Sequence, residues 1–203
     1  MSIPFQNSET AKNLLRAFAG ESQARNRYDF AANLCQKQEL QAMAFIFQAT
    51  AKQEQAHAKV FWDHLQALNG QNLPIYGAYP IEDTNRILEL LRAAQHNEHE
   101  EHGSVYPSFA AIATQEGFPE AAASFRQIAA IEQLHGERFG LLADQLESGA
   151  LFVSQIETGW MCLNCGHTQN SLEAPKQCPV CNHGQGWFIR LELAPWSPVA
   201  KQT

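Results

Sequence analysis

Gln53-Glu54-Gln55-Ala56-His57 and Ile131-Glu132-Gln133-Leu134-His135 decide the fold of this chain. Each carries Glu-x-x-His, and each interrupts a seam that is otherwise apolar. Alternating steps of four and three hold one face of an α-helix. Around the first motif that face reads Met43, Phe47, Thr50, Glu54, His57, Phe61, His64, Leu68, and around the second Ala121, Phe125, Ile128, Glu132, His135, Phe139, Leu142, Leu146. Two further stretches step the same way: Leu14, Phe18, Glu21, Arg25, Tyr28, Ala32, Cys35, and Ile87, Leu91, Ala94, Glu98, Glu101, Val105, Ser108, Ile112. All four seams turn ionisable near their middle, where a core would ordinarily place leucine.

One Glu-x-x-His on a helix is usually a solvated pair. Two of them, in register with apolar seams and joined by glutamates on two other helices, point to metal. Buried carboxylates cost several kcal/mol each without compensation, and two multivalent cations supply it. A Glu from each of two helices with Glu-x-x-His from the other two is the donor set of ferritin-like bundles, and carboxylates with imidazoles suit iron or manganese. The candidate ligands are Glu21, Glu54, His57, Glu98, Glu101, Glu132 and His135. His64, His96, His99 and His102 read as exposed or supporting histidines, and Glu89, Glu100 and Glu116 as solvated.

The helical stretches run from about Ser8 to Gln38, Glu39 to Asn69, Thr84 to Glu116 and Pro119 to Ser148. Ser8 and Asp83 or Thr84 serve as caps, Asn69-Gly70 as a stop, and Pro119 as an opening residue. The first and second stretches meet almost without a linker, as do the third and fourth, so each pair is an antiparallel hairpin. The segment Gly70 to Asp83, with Pro74, Gly77 and Pro80, is the long connection between hairpins. Pro107 is expected to remove a backbone bond and kink the third helix. Helical periodicity ends at Gly149, giving a bundle over 1–148 and a small β and knuckle domain over 149–203, with a tail around Pro195 and Pro198.

Four of the five cysteines fall in that small domain, as Cys162-Leu-Asn-Cys165 and Cys178-Pro-Val-Cys181. Paired C-x-x-C knuckles close a tetrahedral thiolate site, and the spacing serves a zinc ribbon and a one-iron redox centre equally. Cys35 reads as a buried helix thiol.

Composition excludes other classes. Asp and Glu number 21 against 14 Lys and Arg, a formal net charge of −7, with no basic run to hold nucleic acid or an anionic membrane. The first residues lack the charged and apolar regions of a signal peptide, and no run reaches the roughly 18 apolar residues of a membrane span. The expected location is the cytoplasm.

Over nearly its whole length the chain resembles the rubrerythrin family. The matching stretches are Ala19-Gly-Glu-Ser-Gln-Ala-Arg-Asn-Arg-Tyr28, Glu98-His-Glu-Glu101 followed by Val105-Tyr-Pro107-Ser-Phe109-Ala, and the Cys-Pro-Val-Cys knuckle. The resemblance implies a ferritin-like bundle with a rubredoxin-like domain. It also implies two irons bridged by Glu54 and Glu132, Glu101 exchanging with His57 as the redox state changes, and Tyr28 and Tyr106 bonding ligand carboxylates. A further iron, or zinc, sits on Cys162, Cys165, Cys178 and Cys181. The activity implied is reduction of hydrogen peroxide in oxidative stress protection, with electrons from a rubredoxin or an NAD(P)H-linked reductase, in a head-to-tail homodimer. A ferroxidase, or an electron carrier with zinc on the cysteines, are the alternatives. His167 and Gly184 depart from the residues common in the family beside the knuckles.

Overall fold

The computed structural model describes residues 3–82 and 85–194. The caps at Asp83 or Thr84 and the tail at Pro195 and Pro198 lie outside them. Among the described residues five α-helices build the bundle: α1 Glu9–Lys37, α2 Gln41–His64, α3 Ile87–Glu100, α4 Tyr106–Glu116 and α5 Pro119–Glu147. α1 packs chiefly on α2, and α3 and α4 on α5. No described helix is long and apolar enough to cross a membrane.

The opening of α1 is capped twice. Ser8 Oγ accepts from the Ala11 N–H at 3.0 Å, as the sequence suggests. The other cap is Glu116, whose carboxylate accepts from the Glu9 and Thr10 N–H groups at 2.9 and 2.8 Å and from Thr10 Oγ1 at 2.5 Å. Glu116 is therefore a structural residue and not the solvated acid its off-seam position implied. At the other end Glu39 does not begin the second helix. It takes a left-handed conformation, φ 59°, and closes α1, with Leu40 N–H on Cys35 O at 2.9 Å and Glu39 N–H on Gln36 O at 3.1 Å.

The third seam is interrupted. Between α3 and α4 the backbone forms a π turn over Glu101–Val105, with the Tyr106 N–H bonding back to Glu101 O. The extra residue of a π turn advances everything after it by one place. A regular helix would bury Val105, Ser108 and Ile112; the chain buries Tyr106, Ala110 and Ala113. Pro107 then lies in the first turn of α4, where its missing N–H is tolerated, so the turn before it, and not a kink at the proline, absorbs the irregularity. In α1 the seam position taken as Arg25 is exposed and Ala24 is buried in its stead.

Two apolar clusters fill the bundle. Near the α1–α2 turn Phe47 stacks on Phe139 at 5.1 Å between centroids, and at the far end Phe61 meets Phe125 at 5.1 Å. The ionisable layer lies between these aromatic layers. After α5 a three-stranded antiparallel sheet follows, β1 Val153–Cys162, β2 Thr168–Glu173 and β3 Phe188–Arg190, in the order β2-β1-β3. Met161 pairs with Thr168 on one side and Ile189 on the other. Met161, Ile189 and Ala194 join the bundle cluster, so the small domain docks on the end of the bundle at the α1–α2 turn. Gly186 is the point of closest approach, since a Cβ there would lie 1.7 Å from Glu39 O.

Candidate metal centres

Six of the seven acidic and histidine residues singled out in the bundle converge at its centre. Glu21, Glu54, His57 and Glu132 form one set and Glu54, Glu98, Glu132 and His135 another, with the donor atoms of each set within 4.8 Å of one another. Glu54 and Glu132 belong to both. Glu54 places Oε2 3.2 Å from His57 Nδ1 and Oε1 3.1 Å from His135 Nδ1. Glu132 places Oε1 and Oε2 each 2.9 Å from the same two nitrogens. Each of these carboxylates thus turns one oxygen to either set, which is the disposition of a bridge. Glu21 Oε2 stands 3.8 Å from His57 Nδ1 and Glu98 Oε2 3.7 Å from His135 Nδ1, closing the two sets from outside.

The arrangement is only partly hydrogen-bonded, through His57 Nδ1 and Glu54 Oε2 at 3.2 Å. Glu21 Oε2, Glu54 Oε1, Glu98 Oε2, both oxygens of Glu132 and His135 Nδ1 are buried and have no hydrogen-bond partner. Orphaned polar atoms are rare in native cores and costly, and here six of them face one space. Burial pushes the Glu21 carboxyl well above the usual range, against the pull of His57, and pushes Glu98 up to about 7. The two imidazoles are disfavoured as cations by burial but raised by the carboxylates around them, His135 to about 11. The protein alone holds these groups as carboxylates only with difficulty. Cations bound between them relieve both the orphaned lone pairs and the repulsion, and carboxylates with two imidazoles fit iron.

The supporting groups are polar and paired crosswise. The Tyr28 hydroxyl donates to Glu98 Oε1 and the Tyr106 hydroxyl to Glu21 Oε1, so each hairpin orients the other's carboxylate. Burial pushes both phenols well above their usual range, which keeps them donors. His135 Nε2 lies 2.9 Å from Gln53 Oε1, an acceptor that fixes the ring proton on Nε2 and leaves Nδ1 to face the site. Nothing in the seam pattern marked Gln53, because it lies beside the seam.

A pseudo-twofold relation runs through the set. Glu54, His57 and Phe61 of α2 stand where Glu132, His135 and Phe139 stand in α5, as Glu21 and Tyr28 correspond to Glu98 and Tyr106. Glu101 breaks it, taking the place of the buried Ala24 of α1. It belongs to neither donor set and is partly buried at the start of the π turn, where burial and the surrounding carboxylates hold its carboxyl well above the usual range.

The knuckles are also paired. Cys162 N–H bonds His167 O at 2.8 Å and Gly166 N–H bonds Cys162 O at 2.8 Å; Cys178 N–H bonds His183 O at 2.8 Å and Asn182 N–H bonds Cys178 O at 2.9 Å. Gly166 and Asn182 take the left-handed conformations that aim the loops inward. The sulfurs of Cys162 and Cys181 lie 3.7 Å apart and those of Cys165 and Cys178 3.6 Å apart, all four within 4.8 Å. The His183 N–H pulls the Cys181 thiol down to about 5, whereas burial pushes Cys162 up to about 12. A cation is what lets all four be thiolates together. Trp160, fully buried beneath the knuckles, donates Nε1–H to Ser171 O at 3.1 Å.

The other four histidines of the bundle stay outside the donor sets. His64 lies 2.9 Å from Ser124 Oγ, His102 donates from Nδ1 to Ala129 O at 2.8 Å, and His96 and His99 are exposed. Cys35 is buried, its thiol pushed up to about 12 by burial.

Comparison with known proteins places this geometry. Residues 12–143 match the rubrerythrin family model, and residues 160–189 match the model described as the rubredoxin-like domain of rubrerythrin. The chain is 44% identical over 188 residues to the rubrerythrin of Porphyromonas gingivalis, covering 93% of this chain and 92% of that protein. It is 40% identical to the rubrerythrin of Nitratidesulfovibrio vulgaris, covering 93% and 97%. Among solved structures, fully reduced nigerythrin superposes with a TM-score of 0.61 at 25% identity, covering 94% of this chain and 88% of that one. A bacterioferritin of Mycobacterium tuberculosis shares the bundle fold, with a TM-score of 0.61 at 17% identity over 73% of this chain and 90% of that one.

Proposed function

Because this chain belongs to the rubrerythrin family, whose di-iron site is the Glu and His cluster of the bundle and whose four-cysteine site is the pair of knuckles, we propose that it reduces hydrogen peroxide to water. The observation that carries the reading is the pair of donor sets sharing Glu54 and Glu132. Two ferrous ions bound there supply both electrons of the reduction together, H2O2 + 2e⁻ + 2H⁺ → 2H2O.

The chain's own residues do the rest. Glu21, Glu54, His57, Glu98, Glu132 and His135 would hold the two irons, with Glu54 and Glu132 shared between the donor sets. Tyr28 and Tyr106 hold Glu98 and Glu21 in place, and Gln53 holds the His135 tautomer. Glu101, set just outside the cluster, would be available as a further carboxylate ligand beside His57. The aromatic layers on either side exclude bulk water, strengthening every charge interaction within. Cys162, Cys165, Cys178 and Cys181 would hold an iron that supplies one-electron transfer, from a rubredoxin or an NAD(P)H-linked reductase.

The small domain docks about 20 Å along α2 from Glu54, at 1.5 Å per residue from Gln41. That separation supports a head-to-tail homodimer in which one chain's cysteine site serves its partner's bundle. Protection of the cytoplasm from oxidative stress is the role these parts suit. Stopped-flow mixing of the reduced protein with H2O2 and with O2, following the ferric–thiolate absorption, tests the proposal. Oxidation of both centres by peroxide, much faster than by O2, is expected. Unchanged Fe(II) oxidation after Cys162→Ser and Cys178→Ser would instead favour ferroxidase chemistry.

A further inference from the structure

The bundle donors are nearly sealed: Glu21 and Glu132 are 0% exposed, Glu54 and Glu98 1%, His135 2% and His57 6%. An oxidant reaching them must pass between side chains. A cavity of about 270 Å³ lies between the long connection and α1, lined among others by Gly20, Arg27, Tyr79, Pro80, Glu101 and Tyr106. It has room for several water-sized molecules. Its inner wall touches the metal site, because Glu101 borders the donor sets, Tyr106 bonds Glu21, and Gly20 precedes Glu21 in α1.

The outer wall is held in place at several points. The Tyr79 hydroxyl donates to Arg16 O at 3.1 Å, and Arg16 Nε donates to Tyr76 O at 2.9 Å. Glu82 pairs with Arg27 of α1 and accepts from Asn97 Nδ2 of α3 at 2.9 Å. The Tyr79 ring folds back on Gly77, whose Cβ, if present, would come 3.0 Å from the phenol oxygen. It then reaches Gly20, where an added Cβ would sit 3.7 Å from Tyr79 Cε1 and 3.9 Å from Glu101 Oε1. A side chain at Gly20 would therefore stand in contact with both the phenol outside and the carboxylate inside. Glycine within a helix is less stable than alanine, and α1 carries it where a methyl group would stand in this path.

We propose that this cavity is the entrance by which a small polar oxidant reaches the bundle site, with Tyr79 as its outer gatepost and Gly20 as the position kept bare to leave it open. The inference rests on the peroxide reading for the identity of the oxidant. The walls offer hydroxyl and carboxylate oxygens together with Arg27, whose Nη1 pairs with Glu82 while its buried Nε–H has no partner, so a neutral polar molecule finds both acceptors and a donor.

The test uses azide as the probe, bound to the diferric full-length protein and followed by stopped-flow absorbance, beside thermal melts. Gly20→Ala is expected to slow azide binding and release at least threefold each, leave Kd unchanged and raise the melting temperature. Tyr79→Ala is expected to speed both rates. Unchanged rates in both variants would overturn the entrance while leaving the iron site standing. A changed Kd with unchanged binding rate would make Gly20 a support of the site and overturn the entrance equally. Wild-type protein that holds iron but binds no azide would remove the accessible-site reading and the inference with it.

Discussion

Replacing Gly186 by alanine should undock the small domain without damaging either metal site. The added Cβ would fall 1.7 Å from Glu39 O and 2.9 Å from its carbonyl carbon, whereas carbon and oxygen approach to roughly 3.3 Å. About 1.6 Å of movement is required, and both sides of the contact are backbone, so no side chain can rotate away. Glu39 is itself fixed in the left-handed turn that closes α1. Overpacking of this kind costs about 1–3 kcal/mol. If the domain lifts entirely, Met161 and Ile189 lose their cover on the bundle, at roughly 1.5–3 kcal/mol each. An intermediate cost of about 3 kcal/mol lowers the melting temperature of a chain this size by roughly 6–12 °C. Thermal melts, with amide exchange at Leu40 as the local readout and ferric–thiolate absorption as the control, check it. A variant that melts within a degree of the parent with Leu40 still protected would refute the claim that this backbone contact seats the domain.

Other consequences are as direct. Glu116→Ala should cost about 1–2 kcal/mol in urea melts at pH 7. Burial pushes its carboxyl up, but the Thr10 hydroxyl and the N–H groups of Glu9 and Thr10 outweigh this and hold it low. The cap's contribution is therefore present at neutral pH and lost as pH falls through the folded-state value, so parent and variant should converge as pH falls below the ordinary carboxylate range. Gln53→Leu should weaken iron binding about 10–100-fold in chelator competition; equal affinity would show that His135 needs no fixed tautomer. Stripped of metal, the protein should lose stability as pH rises from 5 to 8. Glu98, pushed up to about 7, keeps a proton when folded that it gives up when unfolded, and His135, raised to about 11, loses its unfolded-state proton first. Chelator-treated protein melting higher at pH 8 than at pH 5 would contradict this.

The seams of α2 and α5 could be read from residues alone, because a regular helix repeats its buried face and the ionisable pairs fell on it. Where the helix is regular the reading holds to single residues, from Met43 to Phe61 and from Ala121 to Leu142. After Glu98 it slips by one, since local periodicity does not announce a π turn. Arg25 and Ala24 lie on opposite flanks of the Glu21–Tyr28 seam, and the charge decides which of them meets solvent. Glu116, Gln53 and Gly186 act across the fold, on Thr10, His135 and Glu39 respectively. No period along the chain records such partners, whereas the knuckle spacing records its own geometry because both cysteines of each pair lie in one turn.

The correspondence of the two hairpins has a historical consequence. Glu21 to Tyr28 spans seven positions and Glu98 to Tyr106 spans eight, and the surplus residue lies in the π turn. A bundle made by duplicating the α1–α2 hairpin would already own both bridging glutamates, both terminal ones, both histidines and the crossed tyrosines. It would have Ala24 twice and nothing like Glu101. One inserted residue and one alanine-to-glutamate exchange, both in the second copy, would then convert a symmetrical metal-holding ancestor into a centre whose two halves behave differently.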